Sequence, residues 1–137
     1  MPTSHAVRTC LDLLTGPPRW LRLAAAALAL VLAANLFYHG AQPYAVGLFP
    51  SPWDKLVHLA FFGGMAGLAW IVLGGRGAGA HLGAIGIAVG VGLLDEVAQL
   101  RLPGRSVDAT DFAADLVGAA LAVLLLLAMR ARRQRAA

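Results

Sequence analysis

The sequence predicts an all-α, polytopic membrane protein: a bundle of about four transmembrane helices with both termini in the cytoplasm. Of its 137 residues, 59% are hydrophobic and only 13% are charged, whereas a soluble domain carries about 25% charged residues on a surface that faces water. The mean hydropathy is +0.72, and the apolar residues occur in long runs that a soluble fold would expose. Lipid is the solvent that suits such a chain, and its length allows one domain at most.

Charge and cysteine content exclude two other classes of protein. The formal net charge is +4, but the basic residues flank the apolar runs and form no stripe of their own, which argues against nucleic-acid binding. The single cysteine, Cys10, rules out an intramolecular disulfide and a multi-cysteine metal site. We predict no metal site and no cofactor.

Four apolar stretches define the domain organisation, since a helix needs ~20 residues to cross the ~30 Å hydrocarbon core. Helices are predicted over about residues 21–38, 53–73, 80–101 and 109–129. They form a transmembrane domain over residues 19–129, between a cytoplasmic segment of residues 1–18 and a basic cytoplasmic tail of residues 130–137.

The first helix follows Arg19 and Arg22, which anchor its start, while Trp20 and Tyr38 suit the two membrane interfaces. A cleaved signal peptide is the alternative, because residues 31–33 loosely resemble a cleavage site. The stretch before the apolar run is long for a signal peptide, so we predict an uncleaved helix.

The next helix start is marked by Ser51, Pro52 and Asp54. Ser51 can cap the helix, Pro52 fits its first position, and Asp54 suits the positive end of the helix dipole. The third helix reaches full length only if Asp95 and Glu96 lie inside the span. A Pro-Gly pair at residues 103–104 ends it, and Asp108 is the expected cap of the fourth helix.

The basic residues predict the orientation. Eight of the eleven lie on the side of the two termini, and that side is then cytoplasmic by the positive-inside rule. These eight are Arg8, Arg19, Arg22, Arg76, Arg130, Arg132, Arg133 and Arg135. Lys55, Arg101 and Arg105 lie on the outer side.

Two glycine pairs, Gly63 with Gly67 and Gly86 with Gly90, have the spacing that lets helix backbones approach closely. We favour packing within the chain as their role. A homo-oligomer contact through either face is the alternative.

The acidic residues converge on the outer side, which holds six of the seven. They come from the start of the second helix, the end of the third and the start of the fourth, and adjacent antiparallel helices bring these three places to one depth. The six are Asp54, Asp95, Glu96, Asp108, Asp111 and Asp115.

Helical spacing groups the polar residues into short stripes: Asp54 with His58, Glu96 with Gln99, and Asp111 with Asp115. An ionised carboxylate facing lipid would cost ~2.5–3.5 kcal/mol. We therefore expect the stripes to face the bundle interior, with Lys55, His58 and Arg105 as partners. Asp95 points in another direction and is expected to face water. His5, His39 and His81 are isolated and receive no role.

This cluster predicts a polar pocket. His58, Glu96 and Asp111 are the candidate catalytic residues, because a histidine between carboxylates suits a general base. The candidate substrate-binding residues are Asp54, Lys55, Gln99, Arg105 and Asp115. The planar guanidinium of Arg105 could grip a phosphate or a carboxylate. The cluster contains neither a serine nor a cysteine nucleophile, so the residues specify no reaction.

Four motifs follow one another along the chain: Asp54-Lys55-Leu56-Val57-His58, Glu96-Val97-Ala98-Gln99, Leu102-Pro103-Gly104-Arg105, and Asp111 followed by Gly118-Ala119. In this order they resemble the VanZ-like family of bacterial membrane proteins. The resemblance covers about residues 50–122, and Asp115 departs from it because the family usually has asparagine there. It implies a multi-pass protein of the bacterial cytoplasmic membrane and an association with resistance to the lipoglycopeptide teicoplanin.

Our leading hypothesis is a VanZ-like envelope protein whose outward-facing pocket binds or modifies a lipid-linked or amphiphilic molecule, with membrane lipids as its other partners. A metal-assisted enzyme acting on lipid phosphates is one alternative, since Asp54, His58, Glu96 and Asp111 offer ligands for a divalent ion. A small proton-coupled transporter is another, because buried carboxylates can relay protons. The last is a structural role in which the polar residues only hold the bundle together.

Overall fold

The computed structural model describes residues 16–102 and 108–136. Over these ranges the fold is all-α, without strands. The helices are α1 (Arg19–Gly40), α2 (Trp53–Val72), α3 (Gly77–Gln99) and α4 (Ala109–Ala136). All four are long and apolar enough to cross a membrane, the span in α4 being Ala109–Arg132. The predicted fold class and the number of helices are confirmed. Cys10, His5 and Arg105 lie outside the described residues.

The start of α2 differs from the prediction in its capping. Pro52 occupies the N-cap position and no side chain caps the helix, so the roles predicted for Ser51 and Pro52 are wrong. The backbone supplies the bonds instead, since the Trp53 N–H donates to the Pro50 carbonyl at 2.9 Å. Asp54 does lie in the first turn, where its carboxylate accepts the Lys55 backbone N–H at 2.8 Å.

Two arginine contacts define one end of the bundle. Arg22 Nε donates to the Val72 carbonyl at 2.8 Å, and Arg130 Nη1 donates to the Gly75 carbonyl at 3.1 Å. The start of α1, the α2–α3 turn and the later part of α4 therefore lie together. We call this the basic end (Arg19, Arg22, Arg76, Arg130) and the opposite one the acidic end (Asp54, Asp95, Glu96, Asp108, Asp111, Asp115). The assignment of the basic end to the cytoplasm remains a prediction.

The core is built mainly between α2 and α4, which form the most extensive helix pair. Phe62, Met65 and Trp70 of α2 pack against small residues, which let the helices approach closely in lipid, where packing rather than the hydrophobic effect drives association. Those small residues include Ala80, Ala84 and Ala88 of α3 and Ala119 of α4. Helix α1 is peripheral, and Ala25 is its only buried residue.

The closest helix contact involves a glycine outside the two predicted pairs. At Gly118, a Cβ would overlap the backbone carbonyl of Leu59, so only glycine allows α4 to lie this close to α2. A Cβ at Gly63 would lie 3.1 Å from the Gly118 carbonyl oxygen. Gly63 thus does pack within the chain, at the same crossing.

The other members of the predicted pairs do not pack within the chain. A Cβ would meet nothing within 4 Å at Gly67, Gly86 or Gly90. The interpretation as internal packing is therefore wrong for Gly67, Gly86 and Gly90, because each of them faces open space. A homo-oligomer contact there remains a prediction.

Candidate functional site

Lys55 lies at the centre of a carboxylate cluster that joins α2 to the start of α4. Its Nζ is 2.9 Å from Asp54 Oδ2 and 2.8 Å from Asp108 Oδ2, and it also forms an ion pair with Asp111 Oδ1. An ammonium has three N–H donors, so these three carboxylates occupy all of them. The predicted pairing of Lys55 with the outer acidic residues is confirmed.

Asp108 combines this ion pair with a cap on α4. Its Oδ1 accepts the Thr110 backbone N–H at 2.8 Å and the Thr110 hydroxyl at 2.7 Å. The predicted cap is confirmed. The ammonium of Lys55 and the Thr110 donors hold the pKa of the Asp108 carboxyl well below its usual range.

A second polar pair lies one turn deeper, where His58 Nδ1 is 2.8 Å from Asp115 Oδ1. Asp115 is only 1% exposed, and Phe62 stacks against the imidazole with ring centroids 6.0 Å apart. The other ring nitrogen, His58 Nε2, lies 3.9 Å from Asp111 Oδ2. These contacts orient the imidazole, with Nδ1 hydrogen-bonded to Asp115 and Nε2 directed toward Asp111.

The carboxylate of Asp115 fits because α3 has a glycine opposite it. A Cβ at Gly92 would overlap Asp115 Oδ2 and would lie 3.4 Å from the Phe62 ring. Asp115 Oδ2 is buried and has no hydrogen-bond partner among the described residues. This glycine carries no sequence signal of its own, because its role depends on which helix faces it.

On α3, Asp95 and Gln99 form a buried pair in which Gln99 Nε2 donates to Asp95 Oδ2 at 2.8 Å. The exposed fractions are 4% for Asp95 and 6% for Gln99, so the prediction that Asp95 faces water is wrong. Helix α1 covers this position, and a Cβ at Gly40 would lie 3.6 Å from Asp95 Oδ1.

Glu96 turns toward α4 rather than toward the same side as Gln99. Its Oε2 accepts the Asp108 backbone N–H at 3.2 Å, and its Oε1 is buried without a partner among the described residues. The stripe predicted from Glu96 and Gln99 is therefore wrong, because Asp95 shares the face of Gln99 one helical turn away.

These residues surround a cavity of about 400 Å³ at the acidic end. Its polar wall consists of Asp54, His58, Asp95, Gln99 and Asp111. Its loop wall, from the α1–α2 connection, consists of Tyr44, Ala45, Gly47, Leu48 and Phe49. Leu36, His39 and Gly40 of α1 and Val57 of α2 complete the lining.

The predicted site residues divide into two groups. Asp54, His58, Gln99 and Asp111 line the cavity. Lys55, Glu96 and Asp115 lie behind these residues as their partners or neighbours. Arg105 lies outside the described residues.

Asp95, His39 and Tyr44 also line the cavity, although the sequence did not predict them as site residues. The i, i+4 spacing of Asp95 and Gln99 could have indicated the first. His39 and Tyr44 are hydrogen-bonded to each other through His39 Nδ1 and the Tyr44 hydroxyl. Finding them required the path of the loop.

The sequence profile of the VanZ/LLP1 family matches residues 18–130, which include α1, α2, α3 and most of α4. The chain belongs to the VanZ/LLP1 family. No curated protein and no solved structure matches it. The family and the four apolar helices together make it a VanZ-like membrane protein, and the resemblance drawn from its motifs is confirmed.

Three of the four motifs that carry the VanZ resemblance come from α2, α3 and α4 and meet at the acidic end, while residues 103–105 of the remaining motif lie outside the described residues. Lys55 and His58 of the first motif contact Asp111 and Asp115 of the last. Asp115, the position at which the resemblance leads us to expect asparagine, places a carboxylate 2.8 Å from His58 Nδ1. This VanZ-like chain thus has a histidine–carboxylate pair at the base of the site.

A divalent metal has no evident place among the described residues. They contain no group of three histidine, cysteine or acidic side chains arranged as ligands. Asp54, Asp108 and Asp111 do converge, but the ammonium of Lys55 lies between them. The site therefore offers oriented hydrogen-bonding groups and an imidazole beside a cavity.

Proposed function

We propose that this VanZ-like protein uses the cavity at its acidic end to bind or modify a lipid-linked or amphiphilic molecule. The observation that carries the proposal is the two-sided lining, with carboxylates, an amide and an imidazole on the polar wall and Leu48 and Phe49 on the loop wall. A molecule with a polar headgroup and an apolar tail matches both sides at once.

The position of the cavity supports a ligand drawn from the membrane. The polar wall lies where α2 and α4 begin and α3 ends, at the boundary of the spans. Tyr38, Tyr44 and Trp53 are exposed nearby, and such aromatic residues favour the level of the lipid headgroups. A lipid-linked molecule could therefore enter without leaving the interface.

Modification of the bound molecule would depend on His58. Its ring borders the cavity, and its bond to Asp115 holds one tautomer, which is the arrangement of a general base. Asp111 lies within 3.9 Å of the nitrogen that would accept the proton. His58 and Asp111 would then be the catalytic residues, and Asp115 would position the imidazole.

We further propose that the protein resides in the cytoplasmic membrane of a bacterium with the acidic end outward. The clustering of arginines at the basic end supports that orientation, because basic segments stay in the cytoplasm. An outward cavity for amphiphiles would suit a link to resistance against teicoplanin, a glycopeptide with a lipid tail, as the family resemblance implies.

The metal-assisted enzyme and the proton-coupled transporter receive less support. A metal-assisted enzyme would have to place its ion where Lys55 already neutralises the carboxylates. A proton-coupled transporter would need polar groups along the whole bundle, yet below His58 the centre is filled by Phe62, Met65 and Ala66.

The test is lipidomics on a strain that lacks the gene, complemented with the wild type, with His58→Ala or with His81→Asn. We expect one class of lipid or lipid-linked precursor to change on deletion and to be restored by the wild type and His81→Asn but not by His58→Ala. His81 is the matched control because it lies near the basic end, stacked on Trp70. Unchanged lipids, precursors and teicoplanin susceptibility after deletion would contradict the proposal.

A further inference from the structure

The polar wall of the cavity offers hydrogen-bond acceptors to a ligand. Lys55 is absent from the described lining residues, and its three N–H groups are taken by Asp54, Asp108 and Asp111. The lining residues that the structure describes include neither lysine nor arginine. Lys55 pairs with Asp54 Oδ2 and Asp111 Oδ1, whereas the other Asp111 oxygen, Oδ2, lies 3.9 Å from His58 Nε2.

Gln99 is also turned so that it accepts. Its amide nitrogen donates to Asp95 Oδ2 at 2.8 Å. The opposite orientation would set two oxygens against each other, since an ionised carboxylate cannot donate. The carbonyl oxygen of Gln99 is then the group left for a ligand.

The protonation of the His58 ring nitrogens is set in the same way, by Asp115. A carboxylate accepts, so His58 Nδ1, 2.8 Å from Asp115 Oδ1, carries a proton; when the ring is neutral, Nε2 is then an acceptor. Nε2 and Asp111 Oδ2 lie 3.9 Å apart, a separation that one donor atom could bridge by hydrogen-bonding to both. The position between these two atoms thus suits a donor.

The charge balance favours a cation as that donor. The acidic end has six acidic residues against three basic ones, Lys55, Arg101 and Arg105. This count includes Arg105 from the sequence, so the excess does not depend on where its side chain lies. Excess negative charge at the edge of a lipid phase is costly unless a cation compensates it.

We infer that the cavity takes a primary amine carried on an amphiphile, with the ammonium group between His58 Nε2 and Asp111 Oδ2 and the tail against Leu36, Leu48 and Phe49. This inference rests on the proposed function and names its ligand class. It favours an amino headgroup over the phosphate or carboxylate that Arg105 alone would indicate.

The experiment compares three single-chain probes that share a dodecyl tail: dodecylammonium, dodecyltrimethylammonium and dodecyl phosphate. Saturable binding to the full chain in phosphatidylcholine nanodiscs is measured by equilibrium dialysis, with empty nanodiscs as the baseline for partitioning. We expect dodecylammonium to bind about tenfold more tightly than either other probe, because only it supplies both charge and N–H donors.

Two variants locate the binding. Asp111→Asn removes the carboxylate, and His58→Asn keeps a donor near the position of Nδ1 but lacks Nε2; each should weaken dodecylammonium binding about tenfold or more. His81→Asn should bind it like the wild type. Circular dichroism and size exclusion identify any variant that has lost its fold, and the inference then rests on the other variant.

Several results would overturn the inference. Equal binding of dodecyltrimethylammonium would show that no N–H donor is needed. Preference for dodecyl phosphate, lost in Arg105→Ala, would assign the cavity to anions. Absence of saturable binding by all three probes would also reject the amine, whereas the lipidomic comparison decides the proposed function independently.

Discussion

His58 and Asp115 are joined by a hydrogen bond of 2.8 Å between Nδ1 and Oδ1, across the closely packed α2–α4 interface and below the cavity. The Asp115 side chain is 1% exposed, whereas 19% of the His58 side chain is exposed, at the cavity. One bond therefore links the packing of the bundle to the orientation of an imidazole that borders the site. The first prediction separates these two roles.

Asp115→Ala should lower the free energy of unfolding by about 1–3 kcal/mol, because it removes the hydrogen-bond partner of His58 Nδ1 inside the bundle. Asp115→Asn should cost less, since an amide oxygen can accept the same bond. Chemical unfolding in detergent, followed by tryptophan fluorescence, measures both. Equal losses for alanine and asparagine would mean that the hydrogen bond does not stabilise the fold.

Gly118→Ala should destabilise the bundle by about 1–3 kcal/mol, because the new Cβ would overlap the Leu59 carbonyl and push α4 away from α2. Gly86→Ala is the matched control, since that position is open and alanine favours a helix over glycine by about 0.5–1 kcal/mol. The same unfolding experiment applies. A Gly118→Ala protein as stable as Gly86→Ala would contradict this account of the closest helix contact.

Lys55→Met should lower the Tm at neutral pH, because Asp54, Asp108 and Asp111 would repel one another without the ammonium between them. Adding Asp111→Asn to that variant should restore part of the loss, since it removes one of the repelling charges. Differential scanning fluorimetry in detergent compares the single and double variants. An additive loss in the double variant would argue against electrostatic coupling.

Acid should remove the stabilisation that comes from Asp108. Its pKa in the folded protein lies below the ordinary value of 3.8, so its contribution is complete above that value and is lost as the pH falls toward the folded pKa. Asp108→Asn should therefore be less stable than the wild type at neutral pH, with the gap closing below pH ~4. Unfolding at a series of pH values measures the gap, and a gap independent of pH would refute the ion-pair explanation.

The sequence by itself determined the four spans and the end at which their polar residues meet. Long apolar runs can be satisfied only by lipid, and antiparallel helices return to one depth, so Asp54, Asp95 and Asp111 had to lie near one another. Both arguments use only hydropathy, helix length and chain order, which are local properties. The ion pairing of Lys55 could also be predicted, because Lys55 was the cation nearest to the acidic residues.

Tertiary structure decided which side of each helix faces the cavity. Asp95 and Glu96 are neighbours in sequence but point about 100° apart on a helix. Helix α1 covers Asp95 through Gly40, while the start of α4 receives Glu96. Gly92 gains its role in the same way, through the carboxylate opposite it. The helical repeat sets the angle between successive side chains. Only packing against another helix decides which of those side chains faces the cavity.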